Sequence, residues 1–197
     1  MVVDYRSPDG PVVTHLRGML LVTFLAKLSE EGLEERYLNS LPVAQRGGLN
    51  GVIASSWVDV EFAMTHIQAC EALGVADKKA EELGHDLASR IADTWLGTIV
   101  RAARNSGIEA MGAVLKQNDR SFSRMYRGGR TMVTEYGPKE MVIEDHGNPL
   151  LSLRLFRSCY LGFMMGLAEL FTKSAHVRLV PPQQHDRHGI ATRFSWV

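Results

Sequence analysis

The sequence predicts an α+β fold, in which an N-terminal helical layer packs on a small antiparallel sheet of about four or five strands. Apolar residues recur at helical spacing through most of residues 1–130. The spacing then changes to alternation in two regions that flank one long apolar segment. We therefore expect a single domain over residues 1–197, mainly helical to residue 130 and hairpin-helix-hairpin over residues 131–197.

Glycine, proline and capping residues divide the first half into elements. Gly32 and Pro42 end two short helical stretches. Ser56 and Asp59 resemble a capping box that opens a third helix, on which His66 points away from the apolar stripe. The predicted elements are a strand at 12–16, helices at 19–28, 33–41, 57–73, 77–104 and 106–127, and a flexible loop at 45–51.

The second half alternates between strands and one buried helix. Strands at 131–136 and 139–145 form a hairpin around Gly137-Pro138, with Met141 and Ile143 pointing inward. The helix at 152–172 is apolar on almost every side, so it is buried on most of its surface. Its residues Ser158, Gly162 and Gly166 form a small ridge for close helix contact. Strands at 175–180 and 190–196 follow.

The distribution of charge restricts the possible partners. The chain carries 22 basic and 22 acidic residues and has a formal net charge of zero. This balance argues against nucleic acid as a partner, since nucleic-acid binders usually contain a net basic domain. Residues 1–100 nevertheless hold 8 basic and 14 acidic residues, and residues 101–197 hold 14 and 8. Such segregation favours a homodimer or an acidic, complementary protein partner.

Cysteine usage and the apolar segments predict the compartment. Cys70 and Cys159 lie far apart in apolar helical patterns, which is typical of buried thiols in a reducing compartment. The longest apolar segment has ten residues, from Cys159 to Ala168, whereas a membrane span needs about 20. The first ten residues lack the basic start and apolar stretch of a signal peptide. We expect a cytoplasmic protein with no membrane span.

Several structural glycines and apolar motifs resemble a known family. Residues 128–180, together with Phe194-Ser195-Trp196, Gly18-Met19-Leu20-Leu21, Ser56-Trp57 and Leu83-Gly84, resemble a myxobacterial domain of unknown function of about the same length. The order of elements also resembles vinyl-reductase-type ligand-binding domains, TRAPP tether subunits and haem nitric-oxide sensors. This resemblance implies an enclosed apolar pocket and dimerisation.

The same resemblance argues against two cofactors. The Tyr-x-Ser-x-Arg signature of the haem sensors is absent, because neither residues 5–8 nor residues 121–124 supply it. The cysteine-based zinc sites of some vinyl-reductase-type sensors have no counterpart, because Cys159 is the only cysteine of the second half. We therefore predict no cofactor.

Two groups of residues are candidate binding sites. Methionine and aromatic side chains suit an adaptable apolar pocket or an ordinary core, and the candidates are Trp57, Trp95, Phe163, Met164, Met165 and Phe171. Basic side chains on one helix face could bind an anion or an acidic partner, or could simply be solvated; they are Lys116, Arg120, Arg124, Arg127 and Arg130.

Histidine and aspartate supply weak candidates for a metal site. Their imidazole and carboxylate groups suit a divalent transition metal; the residues are His66, His85, Asp86, His185 and His188. A metal-dependent phosphohydrolase using His66, His85 and Asp86 is the catalytic alternative. The chain contains no serine-nucleophile elbow, zinc-protease helix or phosphate-binding loop.

The sequence therefore favours a noncatalytic sensory or adaptor domain that binds an apolar small molecule and signals through protein contacts. The phosphohydrolase and a purely structural interaction protein remain as alternatives.

Overall fold

Two antiparallel sheets contain the strands of the described residues. The computed structural model describes residues 3–92, 118–172, 174–183 and 186–197. The larger sheet has five strands in the order β1 (Val3–Arg6), β5 (Arg130–Tyr136), β6 (Glu140–His146), β8 (Ile190–Trp196) and β7 (Ala175–Val180). The smaller sheet has three, in the order β3 (Trp57–Asp59), β2 (His15–Arg17) and β4 (Tyr126–Arg127).

Helices account for most of the remaining described residues. They are α1 (Gly18–Glu30), α2 (Glu34–Ser40), α3 (Val43–Arg46), α4 (Val60–Glu71), α5 (Asp77–Ala92), α6 (Asn118–Met125) and α7 (Arg154–Phe171). Gly32, with a φ of +69°, turns the chain between α1 and α2. The predicted α+β class is confirmed, as is a helix between two hairpins, β5–β6 and β7–β8. Within the described residues no helix combines the length and the apolarity of a membrane span.

Several predicted elements in the first 130 residues were wrong in their extent. The strand predicted at 12–16 is β2 at His15–Arg17. The helix predicted from residue 57 begins at Val60, because Asp59 Oδ1 accepts hydrogen bonds from the backbone N–H of Glu61 (2.9 Å) and Phe62 (3.2 Å). The three residues before Val60 form β3 instead. The helix predicted to reach residue 127 ends at Met125, since the next two residues pair with β2. The loop predicted at 45–51 contains the end of α3 and a 3-10 turn over Gly47–Gly51.

Helices α5 and α7 approach each other at glycine. A Cβ added to Gly84 on α5 would overlap the backbone carbonyl of Cys159 on α7. A Cβ added to Gly162 on α7 would likewise overlap the backbone carbonyl of Glu81. Ser158, also on the predicted small ridge, donates from Oγ to Asp77 Oδ1 (3.1 Å). The predicted ridge therefore faces α5, and it brings the two backbones into direct contact.

His66 lies inside the protein, so the prediction that it points outward was wrong. Its exposed fraction is 0%, because α2 covers the face of α4 that the sequence pattern leaves polar. His66 Nδ1 and Tyr37 Oη form a hydrogen bond, and the Phe62 ring lies 4.2 Å from the imidazole, centroid to centroid. Burial lowers the pKa of His66 to about 4. This neutral imidazole belongs to a second packing layer between α4 and α2.

We predict that Gly84→Ala destabilises the protein by about 2–3 kcal/mol or more, because the added methyl group meets a backbone carbonyl that cannot move alone. Alanine otherwise favours a helix over glycine by about 1 kcal/mol. Urea denaturation measures the effect. Gly47→Ala is the matched control, since a Cβ there meets open space; equal effects at both positions would contradict the close contact.

We also predict a pH dependence of stability from His66. Its pKa is about 4 in the folded state and about 6.5 in the unfolded state, so its contribution is complete above pH 6.5 and is lost as the pH falls toward 4. The loss approaches about 3 kcal/mol. His66→Gln removes this part of the acid sensitivity, measured by urea denaturation at several pH values. His176→Gln, at an exposed position of β7, should leave it unchanged. An unaltered pH slope in His66→Gln would refute the assignment.

Candidate ligand-binding site

A cavity of about 570 Å³ lies between the helices and the larger sheet. This volume falls within the range of about 300–1,000 Å³ that is usual for small-molecule sites. Helices α1, α4, α5, α6 and α7 contribute to its wall, together with strands β2, β4, β6 and β8. The interior is therefore bounded by both halves of the chain.

Apolar side chains form most of the cavity wall. Leu20 and Phe24 come from α1, Ala63 and Ile67 from α4, and Leu87 from α5. The largest share comes from α7, through Leu155, Phe156, Cys159, Tyr160, Phe163, Met164, Leu167 and Ala168. An almost uniformly apolar α7 thus packs one side against α5 and presents another side to the cavity. Such a wall suits an apolar molecule, because its transfer out of water into apolar surroundings is favourable.

The predicted pocket residues have different positions in the structure. Phe163 and Met164 line the cavity, whereas Met165 packs half-buried against the apolar cluster of the larger sheet. Trp57 lies on β3 outside the lining. Trp95 and the side chain of Phe171 lie outside the described residues.

Neither the lining face of α1 nor the polar group that β6 contributes was among the predicted site residues. Met141, Ile143 and Asp145 alternate along β6, and all three line the cavity. Met141 and Ile143 are the predicted inward pair. Alternate residues of a strand lie on the same face, so Asp145 shares the face of Met141 and Ile143. This alternation is the sequence signal from which Asp145 could have been predicted as a site residue.

Asp145 is a buried carboxyl in the cavity wall. Only 4% of its surface is exposed, and Tyr160 Oη donates a hydrogen bond to its Oδ2 (2.6 Å). Its other oxygen, Oδ1, has no hydrogen-bond partner among the described residues. Burial raises the pKa of the Asp145 carboxyl, and hydrogen bonds from Thr131 and Tyr160 offset only part of this effect. The cavity therefore contains one unsatisfied oxygen in apolar surroundings.

Two arginines lie at the edge of the cavity. Arg17 donates from Nη1 to the backbone oxygen of Ser55 (2.8 Å) and from Nε to that of Arg124 (3.1 Å). Arg17 and Arg124 both contribute to the lining. The Arg17 guanidinium also lies over the Trp57 ring, 3.9 Å from its centroid, and that of Arg127 lies 4.6 Å from the same centroid. Trp57 thus connects the cavity edge to a surface arginine.

The predicted basic face is spread over several elements. Arg120 and Arg124 are exposed on α6, and Arg127 is exposed on β4. Arg130 begins β5 and forms an ion pair with Asp4, with N–O distances of 2.6 and 2.8 Å. Lys116 lies outside the described residues. The single helix face of the prediction is therefore a patch formed by α6 and β4.

The metal candidates do not converge. His85 Nε2 pairs with Glu169 Oε2 (2.8 Å), and Asp86 pairs with Lys27 (3.2 Å). His66 faces Tyr37 instead. Over the described ranges, no three His, Cys, Asp or Glu side chains form a metal-binding group.

His188, another metal candidate, lies in the turn before β8. The backbone N–H of His188 donates to Asp186 Oδ1 (2.8 Å). His185 lies outside the described residues.

The donor groups of the cavity do not fit a haem iron. Haem iron is held by histidine, thiolate, tyrosinate or paired methionine ligands. No histidine among the described residues lines the cavity, and residues 93–117 contain no histidine, cysteine or tyrosine. Burial raises the pKa of the Cys159 thiol to about 12, and it also raises the pKa of Tyr126 and Tyr160. Without a metal these groups therefore keep their protons, whereas a thiolate or tyrosinate ligand must lose one.

No protein-family model matches the chain, and no curated protein matches its sequence. Solved structures do match it. A variant of the unliganded iron(II) H-NOX protein from K. algicida has a TM-score of 0.62 and 15% sequence identity, covering 92% of this chain and 97% of that one.

Two further H-NOX structures match to a similar extent. A mutant H-NOX from T. tengcongensis has a TM-score of 0.58 and 14% identity, with 92% and 97% of the two chains covered. An oxygen-binding H-NOX domain related to soluble guanylate cyclases, in its oxygen complex, has a TM-score of 0.56 and 14% identity, with 92% and 95% covered. The fold of this chain is therefore similar to that of H-NOX domains, which confirms the haem-sensor resemblance at the level of fold.

Proposed function

We propose that this chain is a noncatalytic sensory or adaptor domain, which binds an apolar small molecule in the cavity and passes its presence to another protein. The observation that carries the proposal is the cavity itself, with its apolar wall and its small number of polar groups. Similarity in fold to H-NOX domains supports a sensory role.

The proposed ligand is not haem. The fold is similar to that of an iron(II) H-NOX protein. Of the groups that hold haem iron in proteins, the described lining of this cavity offers only protonated thiol and phenol groups and thioethers. An organic molecule held by apolar contact suits this wall better than an iron centre does.

The proposed route of the signal starts at Arg17. This residue lines the cavity, donates to the backbone of α6 and stacks on Trp57. A ligand that displaces the Arg17 guanidinium would therefore change contacts of both α6 and Trp57. Arg127 stacks on that same ring, so the change would reach the exposed patch formed by α6 and β4.

We propose that this patch contacts an acidic protein surface. Arg120, Arg124 and Arg127 are exposed there, and arginine matches carboxylate geometry. Glu30, the acidic residue of α1, has partners of its own, Arg90 and Lys27. The segregated charge of the two halves also supports a homodimer.

The first prediction concerns ligand binding and uses the adjacent methionines of α7. The neutral apolar fluorophore N-phenyl-1-naphthylamine should bind the wild type with one site per chain, measured by fluorescence titration. Met164→Trp places an indole in the cavity and should weaken binding at least about tenfold, or about 1.4 kcal/mol. Met165→Trp is the matched control and should bind as the wild type does, because residue 165 does not line the cavity.

Thermal unfolding of both variants shows whether the fold is retained. Absence of binding to the wild type would reject the proposed function. Equal loss in both variants would show that the fluorophore binds elsewhere.

The second prediction concerns the proposed route. The nonfluorescent apolar probe 1-chlorooctane should change the tryptophan fluorescence of the wild type through Arg17 and Trp57. At least roughly half of this change should disappear in Trp57→Phe, which keeps an aromatic face for the guanidinium. Trp196→Phe is the control, because Trp196 lies on β8 outside the cavity lining. A change that depends on Trp196 alone would reject the route.

A further inference from the structure

Asp145 lines the cavity and carries an unsatisfied oxygen. Its side chain is almost fully buried, and Oδ1 has no hydrogen-bond partner among the described residues. A buried polar atom without a partner costs about 1–3 kcal/mol, so most such atoms in folded proteins are satisfied. A ligand in the cavity is the group that can supply the missing bond.

The polar neighbours of Asp145 leave Oδ1 without a partner. Tyr160 donates its hydroxyl to Oδ2, and Thr131, opposite Asp145 on β5, also forms a hydrogen bond with the carboxyl. The adjacent His146 directs its ring to Glu144 (3.2 Å) and Asp186 (3.5 Å). No described residue supplies a hydrogen bond to Oδ1.

The chemistry of Oδ1 limits the kind of group that can meet it. An ionised Asp145 only accepts hydrogen bonds, whereas a protonated Asp145 also donates one. Because Oδ2 already accepts from Tyr160, the proton of the neutral form belongs on Oδ1. A hydroxyl group both donates and accepts, so it satisfies Oδ1 in either state. An ammonium group satisfies only the ionised form, and an ether or ester satisfies only the neutral form.

The charges around the cavity also disfavour an amine. Arg17 and Arg124 contribute to the same lining and repel a cation. Burial in turn favours the neutral carboxyl, which attracts a cation less strongly. A neutral headgroup meets neither difficulty.

We propose that the cavity binds an apolar alcohol, whose hydroxyl group forms a hydrogen bond with Asp145 Oδ1. This proposal rests on the proposed function, since it names the class of ligand for the same cavity. The hydrocarbon part of the alcohol lies among the side chains of α1 and α7, such as Phe24 and Phe163.

The test compares octan-1-ol with 1-chlorooctane as competitors of N-phenyl-1-naphthylamine. The two probes have the same chain, but only the alcohol forms strong hydrogen bonds. The ratio of their dissociation constants is measured in the wild type and in Asp145→Leu. Comparing the two ratios cancels the difference between the probes in their free energy of transfer from water. We expect Asp145→Leu to reduce the preference for the alcohol about tenfold. Asp145→Asn, whose amide can donate and accept, should retain most of the preference.

The infrared band of the Asp145 carboxyl gives a second measurement, which does not require Asp145→Leu to fold. The band should shift when octan-1-ol binds the wild type, stay in place with 1-chlorooctane and be absent from Asp145→Asn. An unshifted band, or an equal preference in wild type and Asp145→Leu, would overturn the alcohol proposal and leave the cavity as an apolar site. Tighter binding of octylamine or octanoate than of octan-1-ol would overturn it as well. Failure of every probe to bind would reject the proposed function itself.

Discussion

Contact between the backbones of α5 and α7 is the constraint on which the rest of the structure depends. Gly84 and Gly162 leave no room for a side chain between the two helices. This contact uses one side of α7 completely, so its bulky aromatic and methionine side chains must point to the other sides. The larger sheet takes up some of them, and the rest surround the cavity. A helix that is apolar all round can thus form a core and a binding wall together.

The cavity wall combines two properties that seldom occur together without a function. Its apolar surface makes water a poor occupant, because an internal water needs two to four polar partners. Asp145 nevertheless places an unsatisfied oxygen there. An empty cavity leaves this oxygen without a hydrogen bond, and a water-filled cavity leaves the water molecules with too few polar partners. A mainly apolar molecule with one polar end avoids both costs. The same reasoning separates this cavity from a haem pocket, which requires an unprotonated ligand for iron.

The sequence predictions were accurate for elements that local patterns specify, and they failed for elements that depend on contacts between distant parts of the chain. Strands β7 and β8 match their predicted limits residue for residue, because alternation is a local signal. Strands β1, β3 and β4 have two to four residues each, and their partners lie far away along the chain, so no local pattern marks them. Met164 and Met165 illustrate the limit for the site. Their composition suggested a pocket, but only tertiary packing decides which of two neighbouring residues faces it.

The α5–α7 contact also affects how this chain can diverge in evolution. Positions such as Gly47 and Gly51 have open space around them and can accept many side chains. Gly84 and Gly162 cannot, because compensation would require one backbone to move away from the other and the cavity wall to move with it. Two glycines 78 positions apart are therefore a more durable mark of common descent than the residues that line the cavity. The side chains of the lining can change while this pair is retained.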